Sequence, residues 1–337
     1  MKLIDIQTLR AIIGRVGLRA FNGEVLSALE QDFRRWEAFT KSPRHAIHYP
    51  HGVIELMPCS DGHYYSFKYV NGHPQNPGKG RLSVVALGVL AEVASGYPLM
   101  LSEMTVLTAM RTSATAALGA KYLARKDASH LAILGTGAQA EFQVHALREI
   151  IPLEQISYYD PDARAMRKFA SNLKGEGLRL SPCATVSLAV ESADLIVTAT
   201  AAKRQMRLFR PEEIRIGVHI HAMGGDCPGK TELDPELLAR SKVVVEYLPQ
   251  FREEGEIQNV PGARIHAELW EIVSGRKPGR ESDDEITLFD AVGFAVEDFS
   301  ILRVVYRLAE ELKMGQEIDL IPSLNDPKDL FGLLGVP

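Results

Sequence analysis

The 337-residue chain is poor in cysteine: Cys59, Cys183 and Cys227 stand far apart and are odd in number. That excludes a disulfide framework and fits no zinc-ligand spacing, so a reduced protein without a bound metal is expected. No apolar run reaches the roughly eighteen residues of a membrane span, and no membrane partner is expected. Met1-Lys-Leu-Ile-Asp-Ile lacks the apolar stretch of a secretory signal, and the expected compartment is the cytoplasm. Lysine and arginine form no block and the formal net charge is −5, which argues against a nucleic-acid partner. Internal repeats and low-complexity segments are missing too. What remains is an ordinary globular composition, 46% hydrophobic and 24% charged. At this length it allows two domains with a sizeable core.

The most informative stretch is Leu131-Ala-Ile-Leu134, followed by Gly135-Thr-Gly137-Ala138-Gln139-Ala140. An apolar strand, a tight glycine turn and a segment of helical spacing form a dinucleotide-binding unit. Gly135 allows the sharp turn, Gly137 lets backbone approach a pyrophosphate, and Ala140 keeps helix and sheet close. The phosphates would rest on unpaired N–H groups at the positive end of the helix. Asp160 follows about twenty residues later, where an acidic residue accepts from an adenosine ribose. A carboxylate there repels a 2′-phosphate, so NAD is favoured over NADP, a preference tempered by Arg164 and Arg167.

Ahead of that stretch, Asp5 is placed to cap a helix through Leu9, Ile12 and Ile13, and residues 21–39 carry apolar side chains at helical spacing. Residues 52–58 and 64–70 alternate as two antiparallel strands joined at Ser60-Asp61-Gly62. Further strands are expected at 83–90 and around 94–98. A helix is expected to begin at Ser102, with Thr105 as a cap, and to carry Arg111 in its middle. Arg44, Glu55 and Lys68 read singly as solvent-facing charges, and Arg111 as a surface charge. The small residues around Arg111 nevertheless leave room for something to approach.

From residue 130 the rhythm is strand–helix–strand, with continuous apolar strands near 131–134, 156–160, 178–180, 194–200, 218–223, 242–247 and 287–295. That implies a parallel, doubly wound sheet, which binds ligands at the carboxyl ends of its strands. Those ends are Gly135–Gly137, Asp160, Thr200 and Met223-Gly224-Gly225-Asp226. Residues 252–257 and 281–285 read as solvated charge clusters. A last helix spans 296–312.

Together, Arg44, Val53-Ile-Glu55-Leu-Met-Pro58, Phe67-Lys68-Tyr-Val-Asn-Gly-His-Pro74, Ala109-Met-Arg111-Thr, Gly135-Thr-Gly137-Ala-Gln139, Gly224-Gly-Asp-Cys-Pro-Gly-Lys-Thr-Glu232, Glu254-Gly-Glu-Ile-Gln258 and Phe289-Asp-Ala-Val-Gly-Phe294 resemble the ornithine cyclodeaminase/mu-crystallin family over nearly the whole chain. The resemblance implies a Rossmann-type NAD domain at 114–294. It also implies an α+β domain for substrate binding and dimerisation at 1–113 with 295–337, and a homodimer built through the N-terminal sheet. The activity implied is NAD-dependent cyclising deamination of L-ornithine to L-proline and ammonia. Hydride passes to NAD, the resulting imine is attacked by the δ-amine, ammonia leaves, and the hydride returns.

By matching positions, Arg44, Lys68 and Arg111 would hold the substrate carboxylate. Asp226 would move the proton that keeps an amine neutral, Glu55 would hold or deprotonate an amine, and Val292 would touch substrate. Ser83, Arg111, Gly135, Gly137, Ala138, Gln139, Asp160, Thr200, Met223, Gly224, Gly225, Asp226, Lys230 and Ala291 would contact NAD. Thr136, Ala140, Ala222 and Ala291 depart from the family pattern, and the histidines at 45, 48 and 51 are unusual. Two other activities stay open: an NAD-dependent amino-acid dehydrogenase or cyclic-imine reductase, and a mu-crystallin-like binding protein without turnover.

Overall fold

The computed structural model describes residues 1–201, 204–260 and 262–335; residues 336 and 337, expected to end the second segment of the first domain, lie outside them. Strand β1 (Lys2–Ile4) leads into α1 (Ile6–Val16), whose first turn is closed by the Asp5 carboxylate accepting the Thr8 amide at 2.7 Å. Helix α2 (Leu18–Arg34) follows. Then come β2 (Thr40–Lys41), β3 (His45–Tyr49), β4 (Gly52–Ser60), β5 (Tyr64–Gly72), β6 (Ala86–Glu92) and β7 (Pro98–Glu103).

Two expectations shift here. The Ser95-Gly96 stretch is a turn and the strand lies beyond it, at β7. Helix α3 (Thr105–Leu123) starts later than expected, and Thr105 does not cap it. The Thr105 hydroxyl instead meets the Ala86 amide at 3.0 Å, while Glu103 accepts the amides of Thr105 and Val106.

The second half alternates β8 (His130–Leu134), α4 (Ala140–Leu147), β9 (Gln155–Tyr159), α5 (Ala163–Asn172), β10 (Arg179–Pro182), α6 (Val186–Val190), β11 (Leu195–Thr198), β12 (His219–Ala222), α7 (Pro235–Arg240), β13 (Lys242–Val245), β14 (Ile265–Glu268), α8 (Leu269–Val273) and β15 (Thr287–Asp290). Helix α9 (Ala295–Leu312) and β16 (Gln316–Glu317) return to the first sheet.

The two sheets obey different rules. In the first, of order β16-β1-β7-β6-β5-β4-β2 with β3 on β4, the pairs from β2 to β7 are antiparallel. Its strands alternate: Glu55, Met57, Lys68, Val70 and Leu90 point inward and are buried, while Leu56, Tyr65 and Leu87 point outward and are exposed. Helix α9 covers the inner face. The second sheet, of order β10-β9-β8-β11-β12-β15-β13-β14, is parallel throughout. The chain leaves β8 outward through β9 and β10, then returns to β11 on the other flank. The reversal opens a crevice at the carboxyl ends of β8 and β11. Among the described residues no helix is long and apolar enough to cross a membrane.

Candidate active site

The crevice begins at the glycine turn. Gly135 has φ +97°, and a Cβ there would lie 2.5 Å from the Ala199 carbonyl oxygen, so only glycine fits against β11. Gly137 has open space where a side chain would be. Helix α4 carries no side-chain cap, which leaves its first amides facing the crevice above Ala138 and Gln139. The Gln139 Oε1 is buried without a partner. Asp160 sits at the end of β9, as expected, but part of its capacity is already used. Its Oδ2 accepts the Thr136 amide at 2.7 Å and hydroxyl at 3.2 Å, and its Oδ1 the Asp162 amide at 2.8 Å. Thr136, a departure from the family pattern, thus anchors the carboxylate that ends β9. A cradle with room at Gly137, free helix amides and a terminal carboxylate fits a dinucleotide.

On the opposite wall lie the cations. Sequence position alone made Arg44, Glu55, Lys68 and Arg111 surface charges; all four side chains are buried instead. The inner face of the first sheet, α3 and α9 converge here, and a buried charge persists only where it is paired. Arg44 Nη1 meets both Glu55 oxygens at 3.2 and 3.3 Å, and Nε lies 3.3 Å from Glu254. Arg44 Nη2 donates to the carbonyls of Val292 and Gly293, each at 2.7 Å. Burial works against its charge, but Glu254 and Glu55 outweigh it and raise its pKa.

Lys68 and Arg111 form a second cluster. Asp298 Oδ1 accepts from Lys68 Nζ at 2.8 Å and Arg111 Nε at 2.9 Å, and Glu297 accepts from Arg111 Nη1 at 2.5 Å. Gly293 lies between the clusters. Its carbonyl holds Arg44, and with φ +85° any Cβ on it would overlap the Arg111 guanidinium. Arg44 and Arg111 both lower the Lys68 pKa, after the larger effect of burial, so the three cations face one region.

Between the walls runs the loop after β12. Lys230 Nζ bridges the Asp226 carboxylate and the Thr200 carbonyl, at 3.0 Å each. Thr200 is fixed in turn by Glu232, which accepts its amide at 2.8 Å. The Asp226 side chain is 55% exposed, and its charge bears on both Arg44 and Glu254. Met223 Sδ accepts from Gln143 at 3.4 Å at the end of β12, and Ala291, buried, follows β15. Ser83 stands apart in the loop after β5, where its carbonyl takes the His73 amide. Among the described residues no hydrogen bond joins it to the other candidates. A cleft of ≈ 500 Å³ opens between the β3–β4 hairpin and this loop, lined by His48, Tyr49, His51, Val53, Cys227 and Lys230. The unusual histidines 48 and 51 therefore stand at its mouth, exposed.

Several participants escaped sequence reading. Residues 252–257 were expected to be solvated, yet Glu254 and Glu256 are buried, because this segment threads between the β12 loop and β15. Burial first, then the nearby Glu55 and Asp226, push Glu254 up to about 7 against the pull of Arg44. Glu246, just after β13, accepts the amides of Val292 and Gly293 at 3.0 and 2.7 Å. Burial and the neighbouring Glu297 raise its pKa well above the usual range. Glu297-Asp298 had one legible signal: two acids in the first turn of a helix, where the dipole favours them.

The family description "Ornithine cyclodeaminase/mu-crystallin family" matches residues 8–313. The chain is 49% identical over 331 residues to ornithine cyclodeaminase of Agrobacterium tumefaciens (strain Ach5), covering 98% of this chain and 93% of that one. It superposes on lysine cyclodeaminase, solved for recognition of L-lysine, L-ornithine and L-2,4-diaminobutyric acid, with TM-score 0.91 at 27% identity over 99% of both chains. An archaeal alanine dehydrogenase dimer with bound NAD gives TM-score 0.88 at 33% identity over 95% of this chain and 99% of that one. By this match and these relatives, the chain belongs to the ornithine cyclodeaminase/mu-crystallin family.

Proposed function

We propose that this chain is an NAD-dependent ornithine cyclodeaminase, converting L-ornithine to L-proline and ammonia. The observation that carries the reading is the burial of Arg44, Lys68 and Arg111 within charge range of one another, with Asp226 in turn within charge range of Arg44. NAD, held by the glycine turn, Ala138, Gln139, Asp160, Thr200, Met223 to Asp226, Lys230, Ser83, Arg111 and Ala291, supplies oxidation and later reduction of the substrate's α-carbon, so that the net reaction is redox-neutral.

The protein's own groups do the rest. The substrate carboxylate displaces protein acceptors from Arg44, Lys68 and Arg111, exchanging one set of charge-assisted hydrogen bonds for another. That anchors the α-carbon beside Val292. Asp226 accepts the proton of an amine, which must be neutral to react, and Lys230 keeps the carboxylate aimed. Glu55, paired with Arg44, holds the second amine. The buried walls exclude water, which strengthens each charge contact.

Sheet membership supports a division into a substrate-binding lobe (1–113 with 295–337) and a cofactor lobe (114–294). The outward row of Ile47, Leu56, Tyr65 and Leu87 is an exposed apolar face on the first sheet, and supports a homodimer through that sheet. A cytoplasmic place in proline formation follows from the same reading.

Incubation with ornithine alone tests it: proline and ammonia appear in equal amounts with no net NADH. Accumulating NADH with a keto acid or free imine would point instead to a dehydrogenase or imine reductase, the reading that the likeness to alanine dehydrogenase favours. Tight NAD binding without turnover would point to a mu-crystallin-like binding protein.

A further inference from the structure

The Glu254–Gln258 segment enters no step above, yet it is packed against the loop that carries Asp226. Asp226 has little to fix it from its own side: the carboxylate is half-exposed and pairs with Lys230. The backbone beneath it, from Gly224 to Gly229, forms no helix or strand. Such a stretch is ordered only by what grips it.

Gln258 supplies that grip. Its Oε1 accepts the Gly229 amide at 2.6 Å. Its Nε2 faces the carbonyls of Gly255 at 2.8 Å, Lys230 at 2.9 Å and Cys227 at 3.4 Å. On the other side of Asp226, the Gly255 amide donates to the Gly225 carbonyl at 2.8 Å. The segment is itself held rigidly. Asp290 Oδ2, at the end of β15, accepts the Glu256 amide at 2.7 Å, and the Glu256 carboxylate accepts the amides of Glu232 and Leu233 at 2.9–3.0 Å. Hydrogen bonds thus run unbroken from the parallel sheet, through residues 255–258, to both flanks of Asp226.

We propose that Gln258 is the positioning residue of the Asp226 loop, its amide setting where the Asp226 carboxylate and the Lys230 ammonium stand against substrate. A primary amide offers donor and acceptor from one planar group. Gln258→Glu keeps the shape but replaces the donor with a carboxylate facing carbonyl oxygens. Gln258→Leu keeps the volume and loses both functions.

The kinetic arm rests on the ornithine reading; the exchange arm does not. In the NAD-loaded protein, hydrogen exchange at the amides of Cys227, Gly229, Lys230 and Thr231 should rise about tenfold or more in both variants, since local opening is governed by the hydrogen bonds that resist it. With ornithine, kcat should fall roughly ten- to a hundredfold, the range that a misplacement of about 1 Å costs, with KM changed less than about threefold. In an Asp226→Asn background the further loss from Gln258→Leu should vanish, because no base remains to be misplaced. Unchanged exchange in the segment overturns the proposal, as does a full kcat loss that persists in the Asp226→Asn background. If the wild-type chain does not turn over ornithine, the activity reading fails on its own, and the exchange rates still decide whether Gln258 holds the loop.

Discussion

Lys68 Nζ donates to Asp298 Oδ1 at 2.8 Å across 230 positions of sequence, pinning the first sheet to the start of α9, with both side chains 1% exposed. Burial, then Arg111, lower the Lys68 pKa to about 8 even though Asp298 opposes them. Its positive charge is therefore present below pH 8 and lost above it. KM for ornithine should rise between pH 7 and pH 9, and Lys68→Met should flatten that rise. At pH 7 the variant's KM should be about ten- to 150-fold higher, because a charge-assisted hydrogen bond is worth on the order of 1.5–3 kcal/mol. Initial rates at each pH check both statements; a wild-type KM that stays level to pH 9 contradicts the first.

Asp226→Asn should retain NAD and lose most turnover. The substitution keeps volume and removes the proton acceptor. General base catalysis contributes about 10²- to 10⁴-fold, which sets the expected fall in kcat. Calorimetric titration with NAD and proline formation measure the two properties separately. Turnover near the wild-type rate would remove Asp226 from its role.

Gly135→Ala forces a methyl toward the Ala199 carbonyl at a positive φ. The strain should cost about 1–3 kcal/mol of stability. It should also weaken NAD binding, because the turn that moves is the one facing the pyrophosphate. Thermal melting with and without NAD checks this, and an unchanged midpoint together with unchanged NAD affinity would contradict it.

His221 lies buried in β12 against Phe289, and burial lowers its pKa to about 3. Below pH 6.5 the unfolded chain takes up a proton that the folded chain refuses. The stability tied to this residue is therefore complete above pH 6.5 and lost as pH falls. Glu254 and Glu256, raised to about 7, act in the opposite sense, since folded carboxyls protonate first. The informative quantity is thus a difference. Relative to wild type, His221→Leu should gain about 1.4 kcal/mol per pH unit between pH 6.5 and pH 4. Denaturant unfolding at several pH values measures it, and a difference independent of pH refutes the assignment.

The periodicities of residues 52–70 and 131–134 were legible because one-sided and two-sided burial leave different patterns, alternating in β4 and β5 and continuous in β8. Helix α1 was legible through Asp5. The burial of Arg44, Lys68 and Arg111 was not, because each sits in a locally unremarkable context and is enclosed by chain more than a hundred residues away. Glu254 and Glu256 misled for the same reason: a dense acidic run normally faces water, and only the crossing of β15 with the β12 loop buries this one. Glu103 replacing Thr105 as the group that closes α3 is a case where local propensity named the right turn and the wrong side chain.

Arg44 belongs by chain to the first sheet, yet its Nη2 is held by Val292 and Gly293, which leave the second. The guanidinium is therefore a latch between the two sheets. Any hinge-like parting of the lobes must first break the bonds to those carbonyls, and the N–H groups thereby bared are the ones a carboxylate would seek. On the proposed function, substrate arrival and any such parting would compete for the same two hydrogen bonds. Loosening the latch by Arg44→Lys would then change not only affinity but also how fast the cleft breathes.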